Sequence, residues 1–141
     1  MQHIQPFHLA IPVSDLEEAR TFYRATLGCT EGRSNTHWVD FNFFGHQLVI
    51  HTREKIDEPD QPGSAVDGKE VPIPHFGVIL DWETFKTFAA RLKKKNIPFQ
   101  IEPYLRFEGQ PGEQMTMFFN DPSGNALEFK AFRNIQQLFA K

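Results

Sequence analysis

The chain has 141 residues, a formal net charge of −3 and a single cysteine, Cys29. That length suits one domain with a substantial core, or two small halves packed together. The mild charge points away from nucleic acid and anionic membrane as partners, the lone cysteine excludes an intrachain disulfide, and no apolar run approaches the roughly 18 residues of a membrane span.

The N-terminal Met1-Gln2-His3-Ile4-Gln5-Pro6 has no basic region leading into an apolar run, so a cytoplasmic protein is expected. Residues 7–13, FHLAIPV, read as a short apolar strand interrupted by His8. Ser14-Asp15-Leu16-Glu17 fits a capping box with Ser14 as the N-cap. Leu16, Ala19, Tyr23 and Leu27 then recur at helical spacing, and Gly28 is placed to end the helix. A weak strand follows at 29–33. Residues 38–44, WVDFNFF, alternate as a half-buried strand does, and a tight turn at Gly45-His46 leads into a strand over 47–51.

Residues 53–74 change character, with Pro59, Pro62, Pro72, Pro74, Gly63, Gly68 and many charges. They read as a linker or a surface loop of about twenty residues, longer than ordinary connections. A strand with His75 at its start is expected over 75–80. Asp81 can cap a helix whose stripe is Trp82, Phe85, Phe88 and Leu92, ending at Asn96-Ile97-Pro98. The run Lys93-Lys94-Lys95 suits that helix's C-terminal end. A strand over 99–103, a glycine-containing loop over 104–113 and a short terminal helix over 134–141, docked by Ile135 and Leu138 or Phe139, complete the chain around its most telling stretch.

That stretch is 115–132, MTMFFNDPSGNALEFKAF. Pro122, Asp121, Asn120 and Gly124 supply the chemistry of a tight turn between two strands. Leu127 and Phe129 point to one face of the second strand and Glu128 to the other. A carboxylate at such a position faces solvent, pairs with a Lys or Arg, or binds a metal. Fifteen Phe furnish mostly core, with enough aromatic surface left to line a cavity for a small apolar or aromatic ligand.

Both halves read strand-helix-strand-strand-strand, as a duplication would. His8 corresponds to His75 (75 − 8 = 67), and Gly45 to Gly124 (124 − 45 = 79). The difference of 12 is an insertion, placed in the 104–113 loop. This register makes His8, Val49, His75 and Glu128 corresponding positions. Three of the four are metal-ligand types, and two His with one carboxylate is the set typical of non-haem Fe(II).

The segments 7–13 and 15–23, then His75-Phe76-Gly77-Val78, and above all Phe119-Asn120-Asp121-Pro122-Ser123-Gly124-Asn125-Ala126-Leu127-Glu128-Phe129 resemble the vicinal oxygen chelate superfamily. That superfamily includes glyoxalase I, bleomycin-resistance proteins and extradiol dioxygenases. The resemblance implies an α+β fold of two tandem βαβββ modules forming a cup-shaped mixed β-sheet with flanking helices. The modules fall at about 1–53 and 74–132, with a linker at 54–73 and a C-terminal short helix at 133–141. It implies His8, His75 and Glu128 as ligands of a divalent metal, with Fe(II) favoured and Mn(II), Ni(II) or Zn(II) as alternatives.

Val49 stands where glyoxalase I-like members carry a fourth, acidic ligand, which tilts the expectation toward dioxygenase-like chemistry on a small-molecule substrate. A metal-dependent lyase or isomerase and a non-catalytic drug-binding protein are the alternatives. A homodimer is expected, with the modules paired within one chain or across two. Beyond the ligands, His51 can act as an acid or base or stand on the rim, and Arg106 can bind a substrate carboxylate or remain a solvated loop residue. Tyr104 and Phe107 are candidates to close over the substrate.

Overall fold

A computed structural model describes residues 3–54 and 63–141. The chain splits into two compact units, Met1–Glu58 with Asp121–Asn125, and Pro59–Asn120 with Ala126–Lys141. Both contain a βαβββ module, so the α+β class and the tandem repeat read from the sequence are found. No helix among the described residues is long and apolar enough to cross a membrane.

The first unit runs β1 (His8–Val13), α1 (Leu16–Thr21), β2 (Thr30–Ser34), β3 (Trp38–Phe43) and β4 (His46–Thr52). Its sheet has the order β1-β4-β3-β2, with β1 parallel to β4 and the other pairs antiparallel. The N-cap of α1 is Asp15, not Ser14: the Asp15 carboxylate accepts from Glu18 N at 3.0 Å. A charged acceptor suits the positive end of the helix better than a hydroxyl, and Ser14 N instead donates to Ser123 Oγ at 3.0 Å.

After Thr21 the helix widens into a π turn over Phe22–Thr26. Both Phe22 and Tyr23 are buried there, with their rings 5.1 Å apart edge to face. Tyr23 also packs on Phe41 of β3, at 5.6 Å. The β3–β4 turn is centred on Phe44 and Gly45, with φ of 53° and 90°, one residue earlier than the sequence suggests.

The second unit opens with a hairpin, β5 (Ser64–Val66) and β6 (Lys69–Val71). Part of the expected linker is therefore ordered β structure, while the part at 55–62 lies outside the described residues. Asp67 and Gly68 form the turn, with φ of 52° and 72°. Two successive left-handed residues match the twist of a hairpin, and Asp-Gly is a pair that adopts them.

β7 (His75–Phe76) and β8 (Ile79–Leu80) follow, then α2 (Trp82–Lys94), β9 (Phe99–Arg106), β10 (Gln114–Asn120) and β11 (Ala126–Phe132). The sheet order is β7-β11-β10-β9, and β8 also pairs β11 in parallel. The strand expected over 75–80 is thus broken at Gly77-Val78. There the backbone passes so close to β11 that a Cβ on Gly77 would stand 1.6 Å from the Glu128 carbonyl oxygen.

Asp81 caps α2 by accepting from Thr84 N at 2.9 Å, and Phe85, Phe88, Ala89 and Leu92 bury its apolar stripe. Phe119 and Phe129 stack with ring centroids 5.7 Å apart, and Phe88 meets Phe129 edge to face at 4.9 Å. β9 continues to Arg106 instead of stopping at Pro103, which shortens the expected loop. A proline is tolerated because β9 is the edge strand of its sheet.

The terminal helix is reduced to a 3-10 turn over Ile135–Gln137. Ile135 and Phe139 are 59% and 88% exposed, so neither docks it, and of the three expected residues Leu138 alone is half-buried. A polar contact also holds the turn, with Gly112 N donating to Gln137 Oε1 at 2.9 Å.

Candidate metal centre

The repeat register is visible in the strand pairing. His8 at the start of β1 lies opposite Gln47 of β4, with Val49 two residues on. His75 at the start of β7 lies opposite Ala126 of β11, with Glu128 two residues on. The same local geometry is built twice, and each unit presents its own part of the expected ligand set.

In the second unit, side chains alternate across the sheet. One face carries Met117, Phe119, Leu127, Phe129 and Ala131, all fully buried. The other carries Glu128 opposite Phe118, and Lys130 opposite Thr116, which in turn faces Tyr104. Glu128 and Lys130 are therefore the charged residues of β11 on this second face, and the Glu128 side chain is only 9% exposed.

A carboxylate so withdrawn from water needs partners. Glu128 Oε1 accepts from Thr116 Oγ1 at 2.9 Å and lies 3.3 Å from Lys130 Nζ. Glu128 Oε2 lies 2.9 Å from His75 Nε2. The His75 ring also meets Phe118 edge to face at 5.1 Å. Thr116, Lys130 and the Pro72 carbonyl were not singled out from the sequence. Period-two spacing from Glu128 flags Lys130 directly, and pairing of the two hairpin strands flags Thr116.

The imidazole is fixed from behind. His75 Nδ1 lies 2.6 Å from the Pro72 carbonyl oxygen. A carbonyl can only accept, so Nδ1 carries the proton, and Nε2 keeps a lone pair unless the ring is doubly protonated. Nε2 then faces Oε2 across a space that holds either a proton or a cation, and the two compete for it. Two donors 2.9 Å apart can share one ion at ligand distances of about 2.0–2.2 Å. The donor set fits a divalent metal.

His8 repeats the device. Its Nδ1 lies 2.9 Å from Gln47 Oε1, while Gln47 Nε2 is directed at Asp40 Oδ2, 3.4 Å away. The Asp40 contact orients the amide with its oxygen toward the histidine. His8 Nδ1 is thus the donor, as in His75, which leaves the lone pair of its neutral ring on Nε2. Metal-ligating histidines are held in this way, with the second ring N–H given to a carbonyl or carboxylate oxygen.

Among the described residues, no three His, Cys, Asp or Glu side chains gather into one group that holds a metal. The pair His75–Glu128 belongs to the second unit and His8 to the first. Val49 is buried and offers no donor. His51 is exposed on β4, opposite Trp38 and Pro12.

Tyr104 and Arg106 are strand residues, contrary to the loop expected for them. Both bond the hairpin turn: Tyr104 OH donates to Asp67 Oδ2 at 3.0 Å, and Arg106 Nε pairs with the same oxygen. Lys69 Nζ lies 4.2 Å from the centre of the Tyr104 ring. The Tyr104 hydroxyl and then the Arg106 guanidinium hold the Asp67 carboxyl below its ordinary value. Burial, and then Asp67, raise the Tyr104 phenol. Arg106 is thereby engaged by a carboxylate of its own unit. Phe107 stands just past β9 with φ 54° and 44% exposure, and the Arg106 guanidinium lies over its ring at 4.8 Å.

A family model described as Glyoxalase/Bleomycin resistance protein/Dioxygenase superfamily matches residues 5–129. A solved glyoxalase/bleomycin resistance protein/dioxygenase from Alicyclobacillus acidocaldarius is 36% identical, with a TM-score of 0.79, covering 95% of this chain and 96% of that one. A lactoylglutathione lyase from Agrobacterium tumefaciens has a TM-score of 0.67 at 19% identity, covering 97% of both chains. A genomically encoded fosfomycin resistance protein from Listeria monocytogenes has a TM-score of 0.70 at 16% identity, covering 96% of this chain and 98% of that one. At those identities the last two share the fold alone. No curated protein matches the chain.

Proposed function

Because this chain belongs to the glyoxalase/bleomycin resistance protein/dioxygenase superfamily, we propose that it is a divalent-metal enzyme of the dioxygenase-like kind, with His8, His75 and Glu128 as its ligands. The observation that supports this reading best is the matched state of the two histidines. Each gives its Nδ1 proton to a carbonyl oxygen, which reserves Nε2 for a ligand role, and His75 Nε2 lies 2.9 Å from Glu128 Oε2. A surface or core histidine has no need of such a fixed tautomer in both repeats.

When bound, the ion supplies Lewis acidity and a template for two adjacent oxygens of a small substrate, with positions left for O₂. Two His and one carboxylate favour Fe(II), with Mn(II), Ni(II) and Zn(II) as the other candidates. The chain's own residues do the positioning. Pro72 and Gln47 hold the two imidazoles, Thr116 holds Glu128 Oε1, and Phe118 walls one side. Val49, buried and apolar, leaves the set at three protein ligands. The working form is a cytoplasmic homodimer.

Metal content after anaerobic purification, measured beside His8→Ala and Glu128→Ala, tests the ligand set. Near-stoichiometric iron or manganese that both variants lose is the expected result. Metal-free wild type that refuses added Fe(II), Mn(II), Ni(II) and Zn(II) overturns it. Metal without O₂ uptake on any catechol-like substrate moves the reaction to the lyase or isomerase class.

Mixing the two variants then locates His8. Metal regained on mixing means that His8 serves the partner chain's His75 and Glu128. No recovery keeps the three ligands in one chain.

A further inference from the structure

We propose that Lys130 selects a negatively charged substrate, holding Glu128 while the metal is absent and an anionic oxygen of the substrate once it is present. The proposal rests on the metal reading above and adds the class of substrate. Lys130 stands two residues past Glu128 on the same face of β11, with Nζ 3.3 Å from Glu128 Oε1. The carboxylate is 9% exposed and the lysine side chain 32% exposed, so Lys130 reaches the pair from the solvent side.

Other cations near this face have different engagements. Arg106 pairs with Asp67, and Lys69 lies over the Tyr104 ring. Lys130 is the cation whose partner is a candidate ligand. A divalent ion drawing on Glu128 puts like charges side by side, which repels the ammonium. Its flexible stem lets it swing without leaving the sheet. A substrate oxygen that brings its own negative charge cancels the repulsion and gives the ammonium a new partner. The favoured substrate is therefore a small oxygen chelator with a carboxylate or equivalent anion beside the chelating oxygen. A neutral diol does not profit from Lys130.

The test uses Mn(II), oxalate and catechol as probes, on the full chain and on Lys130→Met and Lys130→Arg. Mn(II) binding is followed by paramagnetic resonance, and oxalate or catechol is then titrated into the Mn(II)-loaded protein. Lys130→Met is expected to bind Mn(II) about tenfold tighter than wild type and, once loaded, oxalate about tenfold weaker, with catechol unchanged. Lys130→Arg, which keeps the charge, stays near wild type in all three. Lys130→Met with wild-type affinity for oxalate overturns the selecting role, whether or not its Mn(II) affinity changes. Wild type that takes up none of Mn(II), Fe(II), Ni(II) and Zn(II) overturns both this inference and the metal reading, so the two failures are distinct.

Discussion

The two repeats solve one geometric problem with different chemistry. Each starts its first strand with a histidine, pairs that strand in parallel with its last, and presents a residue two places on. In the first repeat that residue is Val49, within the run Leu48-Val49-Ile50, every member of which is buried. In the second it is Glu128, with Lys130 beyond it, between the fully buried Leu127 and Phe129. The first sheet has given both faces of its last strand to packing. The second has kept one face for packing and placed polar groups on the other, beside a small apolar cluster of Val71, Ile101 and Phe118. A duplication supplies two sites by default, and here one half has retained the carboxylate while the other has become core.

The strongest way to break this contrast is to make the second repeat like the first. Glu128→Val should reduce Mn(II) affinity by more than the roughly 10–100-fold commanded by groups behind the ligands, as read by metal titration. It should leave the melting transition in place, because it removes one withdrawn charge and not a packing layer. If the metal-free variant instead unfolds, Glu128 is a structural residue. On the opposite face, Phe129→Ala should cost roughly 3–5 kcal/mol in chemical denaturation, because it deletes the ring between Phe88 and Phe119. That variant's loss should appear in stability before it appears in metal affinity.

The first repeat carries its buried polar chemistry elsewhere. Tyr23 OH donates to Asp121 Oδ2 at 2.8 Å, and Asp121 also accepts from Ser123 N, Asn125 N and Asn125 Nδ2. Tyr23→Phe should destabilise by about 1–2 kcal/mol near neutral pH, since it strips a hydrogen bond from a buried carboxylate. Burial first, and then the Asp121 charge, push the Tyr23 phenol well above its ordinary value. A raised folded value means that the wild-type contribution is complete below about pH 10 and is lost as pH climbs from there toward the folded value. Tyr23→Phe should lack this alkaline loss in melting curves.

The smallest effect belongs to the hairpin turn of the second unit. Asp67 is held below its ordinary value, so its contribution is present above about pH 4 and lost as pH falls through the folded value. Hydrogen-exchange protection at β5 and β6, taken relative to the intrinsic rate at each pH, should fall in acid, and Asp67→Asn should flatten that dependence.

How much of this was readable beforehand differs by residue. His8, His75 and Glu128 stand out because a strand has period two and the repeat supplies a second copy for comparison. The histidine tautomers were not readable, because the Pro72 carbonyl and the Gln47 amide are set by local backbone and strand register. Tyr104 and Arg106 do not read as strand residues, because Pro103 looks like a strand end, although an edge strand accommodates it. Val66-Asp67-Gly68-Lys69 was a readable hairpin signal, masked by the prolines around it. Ser14 and Asp15 are both good caps, and the neighbouring Ser123 decides between them. Nothing in the sequence announces that Tyr23 meets a carboxylate 98 positions away.

That last contact bears on the order in which the protein can be completed during synthesis. The first unit includes Asp121–Asn125, so the segment that emerges first from the ribosome lacks the turn that caps Tyr23 and binds the Pro12 carbonyl through Asn125 Nδ2. A nascent chain stopped before residue 121 leaves the Tyr23 hydroxyl without Asp121 and the Pro12 carbonyl without Asn125. Domains ordinarily fold from the N-terminus as they emerge. Here the partners of Tyr23 and Pro12 become available only after most of the later half has been made.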